Sequence, residues 1–178
     1  HFKKSFQFYW STGLRLREPF GGVVRNNILE INPNENKTGV YLIKILKQYQ
    51  LDILMEMKDR VARSRGSFRS STGYYSIVFK KAVRMIGRED LHFHNLRDTF
   101  AVMKYLETRD IYLVSKELGH SSVKVTEKYA NFNNFELLKQ DFPSITSGIN
   151  TDSILTLGDT LLGDTEVKLR RIPEIIMA

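Results

Sequence analysis

One stretch of the chain, residues 23–45, has the composition of β structure, whereas the other patterned segments repeat with helical spacing. Its runs NILEI and GVYLIKI are rich in β-branched residues, and the turn-forming sequence NPNEN lies between them. Lys37 falls at or near the tip of the predicted hairpin. We therefore expect a mainly α fold with one small antiparallel β-sheet, which is an α+β fold.

Apolar residues recur every three or four positions over most of the remaining chain, as they do in amphipathic helices. The predicted helices cover residues 1–12, 46–63, 74–86, 95–108, 111–118, 123–132 and 134–140. Gly13 is expected to end the first helix, and Pro19 interrupts the short element that follows it. The polar segment 64–73 is predicted to form a loop.

The composition limits the class of protein. A length of 178 residues with 42% hydrophobic content fits one globular catalytic or binding domain. The lack of cysteine excludes a disulfide framework, a thiolate metal site and a thiol nucleophile. The sequence contains neither a signal-peptide pattern nor an apolar run of membrane-spanning length, so we expect a cytoplasmic protein with no membrane partner.

Positive charge is concentrated in the body of the chain. Residues 1–129 carry 23 Lys and Arg against 13 acids, whereas residues 130–178 carry 4 against 7. Within residues 58–84, eight cations and interspersed aromatics accompany a single acid. This pattern indicates a polyanion such as nucleic acid, although a solvated basic face has the same composition. The candidate DNA-binding residues are Arg60, Arg63, Arg65, Arg69, Lys80, Lys81 and Arg84.

Residues 91–132 contain the side chains that phosphodiester transfer requires, namely a nucleophile, cations and proton donors. His94 and Arg97 are three residues apart, so a helix would present both on one face. His120 follows Leu118-Gly119, and Tyr129 lies nine residues further on. Each also has an ordinary structural explanation: a histidine at a helix start, a histidine bound to backbone carbonyls, or a core tyrosine.

Taken together, these residues match a family. ELGHSS at residues 117–122 and TEKYA at 126–130 resemble the end of the catalytic domain of tyrosine recombinases, the phage-integrase-like site-specific DNA recombinases. HNLRDTFA at residues 94–101 resembles their H-x-L-R box, STGLRLRE at 11–18 resembles their first arginine box, and NKTG at 36–39 looks like their hairpin lysine. Four boxes in the right order make the resemblance specific.

The resemblance implies the tyrosine recombinase catalytic-domain fold and a catalytic site formed by six residues: Arg15, Lys37, His94, Arg97, His120 and Tyr129. In such enzymes the tyrosine attacks a DNA phosphate and leaves a 3′-phosphotyrosyl link with a free 5′-hydroxyl. The expected partner is double-stranded DNA, bound by a homotetramer of the full-length protein. Neither a metal nor another cofactor is expected.

The sequence defines the domain bounds and the catalytic lysine less closely than the other site residues. Residues 1–142 are expected to form the catalytic domain, and residues 143–178 a tail that docks on its own body or on a neighbouring protomer. The N-terminal core-binding domain of the family is expected to be missing from this sequence. Lys44, on the strand after Lys37, is an alternative catalytic lysine.

Two other functions use the same residues. His92-Phe93-His94 with a downstream tyrosine resembles the relaxase-like nucleases, in which two histidines on a central strand hold a divalent metal. The second alternative is a homologue that binds DNA without cutting it. Type IB topoisomerases share the chemistry, but the spacing from Leu-Gly-His to tyrosine favours a recombinase.

Overall fold

The computed structural model describes residues 2–130, which form helices around one small sheet. The elements are α1 Phe2–Thr12, α2 Glu18–Gly21, β1 Val23–Arg25, β2 Ile28–Ile31, β3 Leu42–Ile45, α3 Gln48–Ala62, α4 Phe68–Met85, α5 Asn95–Thr108, α6 Ile111–Leu118 and α7 Lys124–Glu127, with a 3-10 turn at Pro33–Glu35. This composition confirms the predicted α+β class. The predicted helix at 134–140 and the tail at 143–178 lie outside the described residues.

The sheet has the order β1-β2-β3, and both pairs are antiparallel. Asn26, with a left-handed φ of 55°, lies in the two-residue turn between β1 and β2. Leu29 pairs with Lys44 and Ile31 with Leu42, so these four side chains share one face of the sheet. All four are buried, and this face therefore packs against the helical core.

Helix α1 forms the centre of the helical core, since it packs against α3, α4 and α5. Phe6 and Tyr9 of α1 meet Phe93 with ring centroids 6.2 and 4.8 Å apart. Phe79 of α4 lies 5.3 Å from Phe6 in an edge-to-face arrangement. These aromatic contacts fix the end of α1, and with it the position of Arg15, against the start of α5.

The predicted loop at 64–73 is wrong in its second half, because α4 begins at Phe68. The Ser67 side chain caps the helix by accepting a hydrogen bond from the backbone nitrogen of Ser70. Ser71 and Thr72 donate their hydroxyls to carbonyls four residues earlier. Serine, threonine and glycine favour loops in isolation, but here their side chains are bonded within the helix.

The predicted helix at 123–132 is too long within the described residues. Helix α7 has four residues, and residues 128–130 form a turn. Val125 and Thr126 have low helix propensity because their β-branched side chains lose rotamer freedom in a helix. By contrast, α5 and α6 have the bounds that the sequence predicts.

No helix among residues 2–130 combines the length and the apolar character needed to cross a bilayer.

Gly13 ends α1 in a conformation and a space that only glycine fits well. Its φ is +67°, in the left-handed region, and its backbone nitrogen donates to the Tyr9 carbonyl over 2.9 Å. A Cβ at this position would lie 2.3 Å from Phe100 Cδ1. The turn that leads to Arg15 is therefore packed directly against Phe100 of α5.

We predict that Gly13→Ala lowers the free energy of unfolding by about 2–4 kcal/mol, because it adds a clash to backbone strain. Urea unfolding of the full chain measures this change.

Gly87→Ala isolates the backbone strain, since Gly87 has φ +72° and no atom within 4 Å of a Cβ. It should lower the free energy of unfolding by about 1–2 kcal/mol. Gly73→Ala, in the interior of α4, should instead stabilise by about 0.5–1 kcal/mol. Equal losses at Gly13 and Gly87 would contradict the clash with Phe100.

Candidate active site

Arg97 is the buried centre of the candidate site. It lies in the first turn of α5 and is 2% exposed. Its Nη1 donates to the Gly13 carbonyl and its Nη2 to the Leu118 carbonyl, each over 2.6 Å. One guanidinium therefore joins the end of α1 to the end of α6, which are far apart in the sequence.

Arg15 approaches Arg97 through a shared carboxylate. Arg15 Nη1 lies 2.6 Å from Glu18 Oε1, and Glu18 Oε2 lies 3.8 Å from Arg97 Nη1. Glu18 Oε2 also accepts a hydrogen bond from the backbone nitrogen of Arg15 over 2.7 Å. Burial, followed by the charge of Arg15, lowers the pKa of Arg97 to about 10, against the opposing effect of Glu18. Arg97 therefore remains a cation at neutral pH.

His120 begins the segment after α6, where Gly119 turns the chain with a φ of +63°. Its Nδ1 lies 2.7 Å from the Thr126 hydroxyl oxygen, and Thr126 is fully buried. Burial, and then the charges of Arg97 and Arg15, lower the pKa of His120 to about 4. At neutral pH the imidazole is therefore uncharged.

Tyr129 follows α7 and is 1% exposed. Its hydroxyl donates to Asp98 Oδ1 over 2.7 Å. Burial, and then the charge of Asp98, raise the pKa of Tyr129 well above its ordinary value, whereas Arg97 and Arg15 oppose that effect. The phenol is protonated at neutral pH.

His94 immediately precedes α5, and its side chain is 60% exposed. Its Nε2 lies 4.0 Å from Asp98 Oδ1, the same oxygen that accepts the Tyr129 hydroxyl. His94, four residues before Asp98, thus lies beside the carboxylate that binds Tyr129.

The two candidate lysines have different environments. Lys37 is exposed in the connection between β2 and β3, and the hydroxyl of its neighbour Thr38 donates to the Gly119 carbonyl over 3.0 Å. Lys44 is 8% exposed, and its Nζ lies 3.4 Å from Glu117 Oε2 and 5.0 Å from the centroid of the Phe100 ring. Burial lowers the pKa of Lys44, although Glu117 opposes this. Lys44 is thus bound within the core, whereas Lys37 is on the surface.

The structure therefore places five predicted side chains near one another: four meet at the shared carboxylates of Glu18 and Asp98, and the charges of Arg97 and Arg15 act on His120. Arg15 and Arg97 share Glu18, Arg97 reaches the residue before Gly119-His120, and His94 and Tyr129 meet at Asp98. Among residues 2–130, Lys37 is linked to this region only through its neighbour Thr38. The arrangement places two guanidiniums, two imidazoles and a phenol around one region, which suits phosphoryl transfer to a side chain.

Three residues of this region lie inside the matched boxes, but the sequence assigns them no role. Glu18, Asp98 and Thr126 are all buried and hold Arg15, Tyr129 and His120 respectively. A local signal existed only for Glu18, which lies one helical turn after Arg15. The partners of Asp98 and Thr126 become evident only from the tertiary structure.

The seven predicted DNA-binding cations differ in how far they are engaged. Arg60 pairs with Glu56, Arg63 with Asp59 and Arg84 with Glu89, while Lys80 donates to the Leu91 carbonyl over 3.2 Å. The other three are exposed and form no ion pair within the described part of the chain: Arg65, Arg69 and Lys81.

His92 does not belong to the contact network of the candidate site. It lies with Phe93 just before α5, where its backbone nitrogen donates to the Asn95 side chain over 2.7 Å. The relaxase-like alternative requires the two histidines on a central strand. Here they lie at a helix start instead.

Residues 33–135 match the model of the phage integrase family. Because this match covers more than half of the sequence, the chain belongs to the phage integrase family, the tyrosine recombinases. It is 27% identical over 140 residues to tyrosine recombinase XerH of Campylobacter jejuni, covering 71% of this chain and 40% of that protein. It is also 27% identical over 100 residues to the probable integrase/recombinase YoeC of Bacillus subtilis, covering 53% and 54%.

Solved structures of XerH confirm the predicted tyrosine recombinase fold. The post-cleavage complex of XerH with a palindromic difH substrate has a TM-score of 0.53 and 20% identity, covering 78% of this chain and 44% of that chain. The pre-cleavage complex with difH has a TM-score of 0.51 and 21% identity, covering 71% and 41%. The chain spans between 40% and 54% of the length of the two curated relatives.

We predict that the free energy of unfolding falls as the pH is lowered from 7.5 to 5, and that His120→Gln makes this dependence shallower. The native pKa of His120 is about 4, below the ordinary value of 6.5. As the pH falls through 6.5, the unfolded state takes up a proton that the native state does not, which favours unfolding. Glutamine can still bond Thr126 but does not titrate. Urea unfolding at several pH values measures the slope, and identical slopes would contradict the prediction.

Proposed function

We propose that this chain is the catalytic domain of a site-specific recombinase that cleaves and rejoins double-stranded DNA through a 3′-phosphotyrosyl intermediate on Tyr129. One observation carries the proposal: Arg15 and Arg97 share the buried carboxylate of Glu18. Both arginines also lie near enough to His120 and Tyr129 for their charges to lower the pKa of each. Family membership and the XerH–difH complexes are consistent with a DNA substrate.

Arg15 and Arg97 would bind the non-bridging oxygens of the scissile phosphate. A guanidinium has five N–H donors, and Arg97 uses one from each terminal nitrogen for the Gly13 and Leu118 carbonyls. These two bonds hold its plane fixed, so it needs little reorganisation when a phosphate arrives. Fixed cations stabilise the additional negative charge of the pentacoordinate transition state.

Tyr129 would supply the nucleophile and Lys37 the acid. The phenolic oxygen gives its proton to His94 or His120 and forms a bond to phosphorus while the bond from phosphorus to the 5′-oxygen breaks. Lys37 protonates the departing 5′-oxygen, and its exposed position on the β2–β3 connection leaves it able to reach a bound duplex. His94 and His120 assist by hydrogen bonding or proton transfer.

Rejoining would be the reverse reaction, in which a 5′-hydroxyl attacks the phosphotyrosine. The phosphodiester energy is retained in the covalent link, so no ATP is consumed. Strand exchange follows when the attacking hydroxyl belongs to a second duplex. Because the arginines supply the positive charge around the phosphate, the proposed reaction uses no metal ion.

The basic residues of α3, α4 and their connection would contact the DNA backbone. Arg65, Arg69 and Lys81 are the best placed, since each is exposed and is not neutralised by an acid within residues 2–130. Phosphate contacts of this kind supply affinity rather than sequence readout. We propose that the full-length protein assembles as a homotetramer on its site, with residues 143–178 docking in cis or on a neighbouring protomer.

We predict that the full chain forms a covalent adduct with a suicide duplex nicked next to the cleavage site, and that Tyr129→Phe forms none. The nick lets the short fragment that carries the new 5′-hydroxyl diffuse away, so the phosphotyrosine accumulates. The adduct is measured as a labelled band on a denaturing gel. Tyr112→Phe is the matched control, because Tyr112 is 71% exposed and lies outside the site.

The same assay separates the alternatives. Adduct formation in excess EDTA is expected, whereas loss of the adduct on chelation would favour a metal-dependent nuclease. Binding to the duplex without any adduct from the unsubstituted chain would instead favour an inactive DNA-binding homologue.

We predict that Lys37→Ala slows adduct formation by about 100-fold or more, the usual contribution of a general acid. A substrate with sulfur in place of the bridging 5′-oxygen should restore the rate, because a thiolate leaves without a proton. Lys44→Met should retain cleavage of the normal substrate, because Lys44 is buried against Glu117 and Phe100. The reverse pattern, with sulfur rescue of Lys44→Met, would assign the acid to Lys44.

A further inference from the structure

Asp98 is a carboxylate in a region that is proposed to bind a phosphate. It lies directly after Arg97 on α5 and is 6% exposed. Lys128 Nζ lies 3.4 Å from its Oδ1, and His94 Nε2 lies 4.0 Å from the same oxygen. A buried negative charge at this place repels a phosphate, so Asp98 requires an explanation other than substrate binding.

The Asp98 side chain contacts the proposed nucleophile directly. Its Oδ1 accepts the Tyr129 hydroxyl over 2.7 Å, and Tyr129 is 1% exposed. Hydrogen bonds to a charged acceptor are about twice as strong as neutral ones. In this arrangement the phenolic oxygen faces a carboxylate inside the protein and is not accessible to a DNA phosphate.

The backbone before Tyr129 forms only a short helix and a turn. Helix α7 has only four residues, and the Tyr129 nitrogen bonds to the Thr126 carbonyl over 2.9 Å in the turn that follows. Asp98, by contrast, belongs to a 14-residue helix that packs against α1 and α6. The tyrosine is thus attached to a rigid element through its hydroxyl, the group that would react.

We propose that Asp98 is a positioning residue that holds Tyr129 in a withdrawn position until a DNA phosphate enters the site. The inference rests on the proposed function, in which Tyr129 is the nucleophile. An arriving phosphate offers Lys128 and His94 a second anionic partner and repels the Asp98 carboxylate. This repulsion raises the free energy of the arrangement in which the carboxylate lies in the site and binds Tyr129, so release of the nucleophile is coupled to the presence of its substrate.

The first test measures the single-turnover rate of adduct formation on the nicked duplex. Asp98→Ala is expected to raise this rate roughly tenfold, the factor that corresponds to loss of one hydrogen bond to a charged group. The amide oxygen of Asp98→Asn still accepts a hydrogen bond but carries no charge. Its rate of adduct formation should therefore lie between those of the unsubstituted chain and Asp98→Ala. A lower rate in both variants would identify Asp98 as a proton acceptor and overturn the proposal, as would an unchanged rate.

The second test measures access to the phenol in the free protein. Tetranitromethane modifies exposed tyrosines, and mass spectrometry of the peptides locates the product. In the unsubstituted chain Tyr112 and Tyr74, which are 71% and 53% exposed, should react while Tyr129 is protected. Asp98→Ala should increase nitration of Tyr129 several-fold relative to these two residues. Continued protection of Tyr129 in both Asp98 variants would overturn the proposal.

Glu107→Gln is the matched control, because it removes a charge from the same helix where the side chain is 69% exposed. It should change neither readout. A lower melting temperature of Asp98→Ala with no change in cleavage or nitration would mean that Asp98 only stabilises the start of α5. If Asp98→Ala does not fold, the intermediate values expected of Asp98→Asn still test the proposal.

Failure of this inference is distinguishable from failure of the proposed function. No adduct from the unsubstituted chain would refute the function itself. An adduct that depends on Tyr129 but forms no faster in the Asp98 variants would refute only the positioning role.

Discussion

The two hydrogen bonds of Arg97 to backbone carbonyls determine how the rest of the site is assembled. They join α1, α5 and α6 at one guanidinium, which is almost completely buried. A buried cation is costly unless it is paired and hydrogen-bonded, and here two carbonyls and the nearby Glu18 meet that requirement. The proposed catalytic group is therefore also a structural one.

Local sequence signals were sufficient where helix bounds depend on local contacts. Helix α6 ends as predicted because Asp110 accepts the Tyr112 and Leu113 nitrogens at its start and Gly119 adopts the left-handed conformation at its end. They were insufficient for α4, in which side-chain bonds within the helix offset the loop preference of serine. Local signals also predict too long a helix at α7, where β-branched residues have low helix propensity.

The candidate site shows the same division. The four motifs shared with the family predict the cations, imidazoles and tyrosine of the site, because these residue types occur in them at fixed spacings. Asp98 and Thr126 were not recognised, since their significance depends on contacts with Tyr129 and His120 that form only in the folded chain. Asp98 precedes Tyr129 by 31 residues, and no periodic pattern connects residues so far apart.

The inward position of Lys44 has a consequence for how sequences of this family diverge. Strand β3 buries Leu42 and Lys44 and exposes Ile43 and Ile45, so a lysine occupies a core position opposite Glu117. Loss of Glu117 leaves the buried Lys44 without its carboxylate partner, whereas joint replacement by uncharged residues leaves no buried charge. The two positions should therefore covary among homologues. An aliphatic residue at the place of Lys44 should accompany an uncharged one at the place of Glu117.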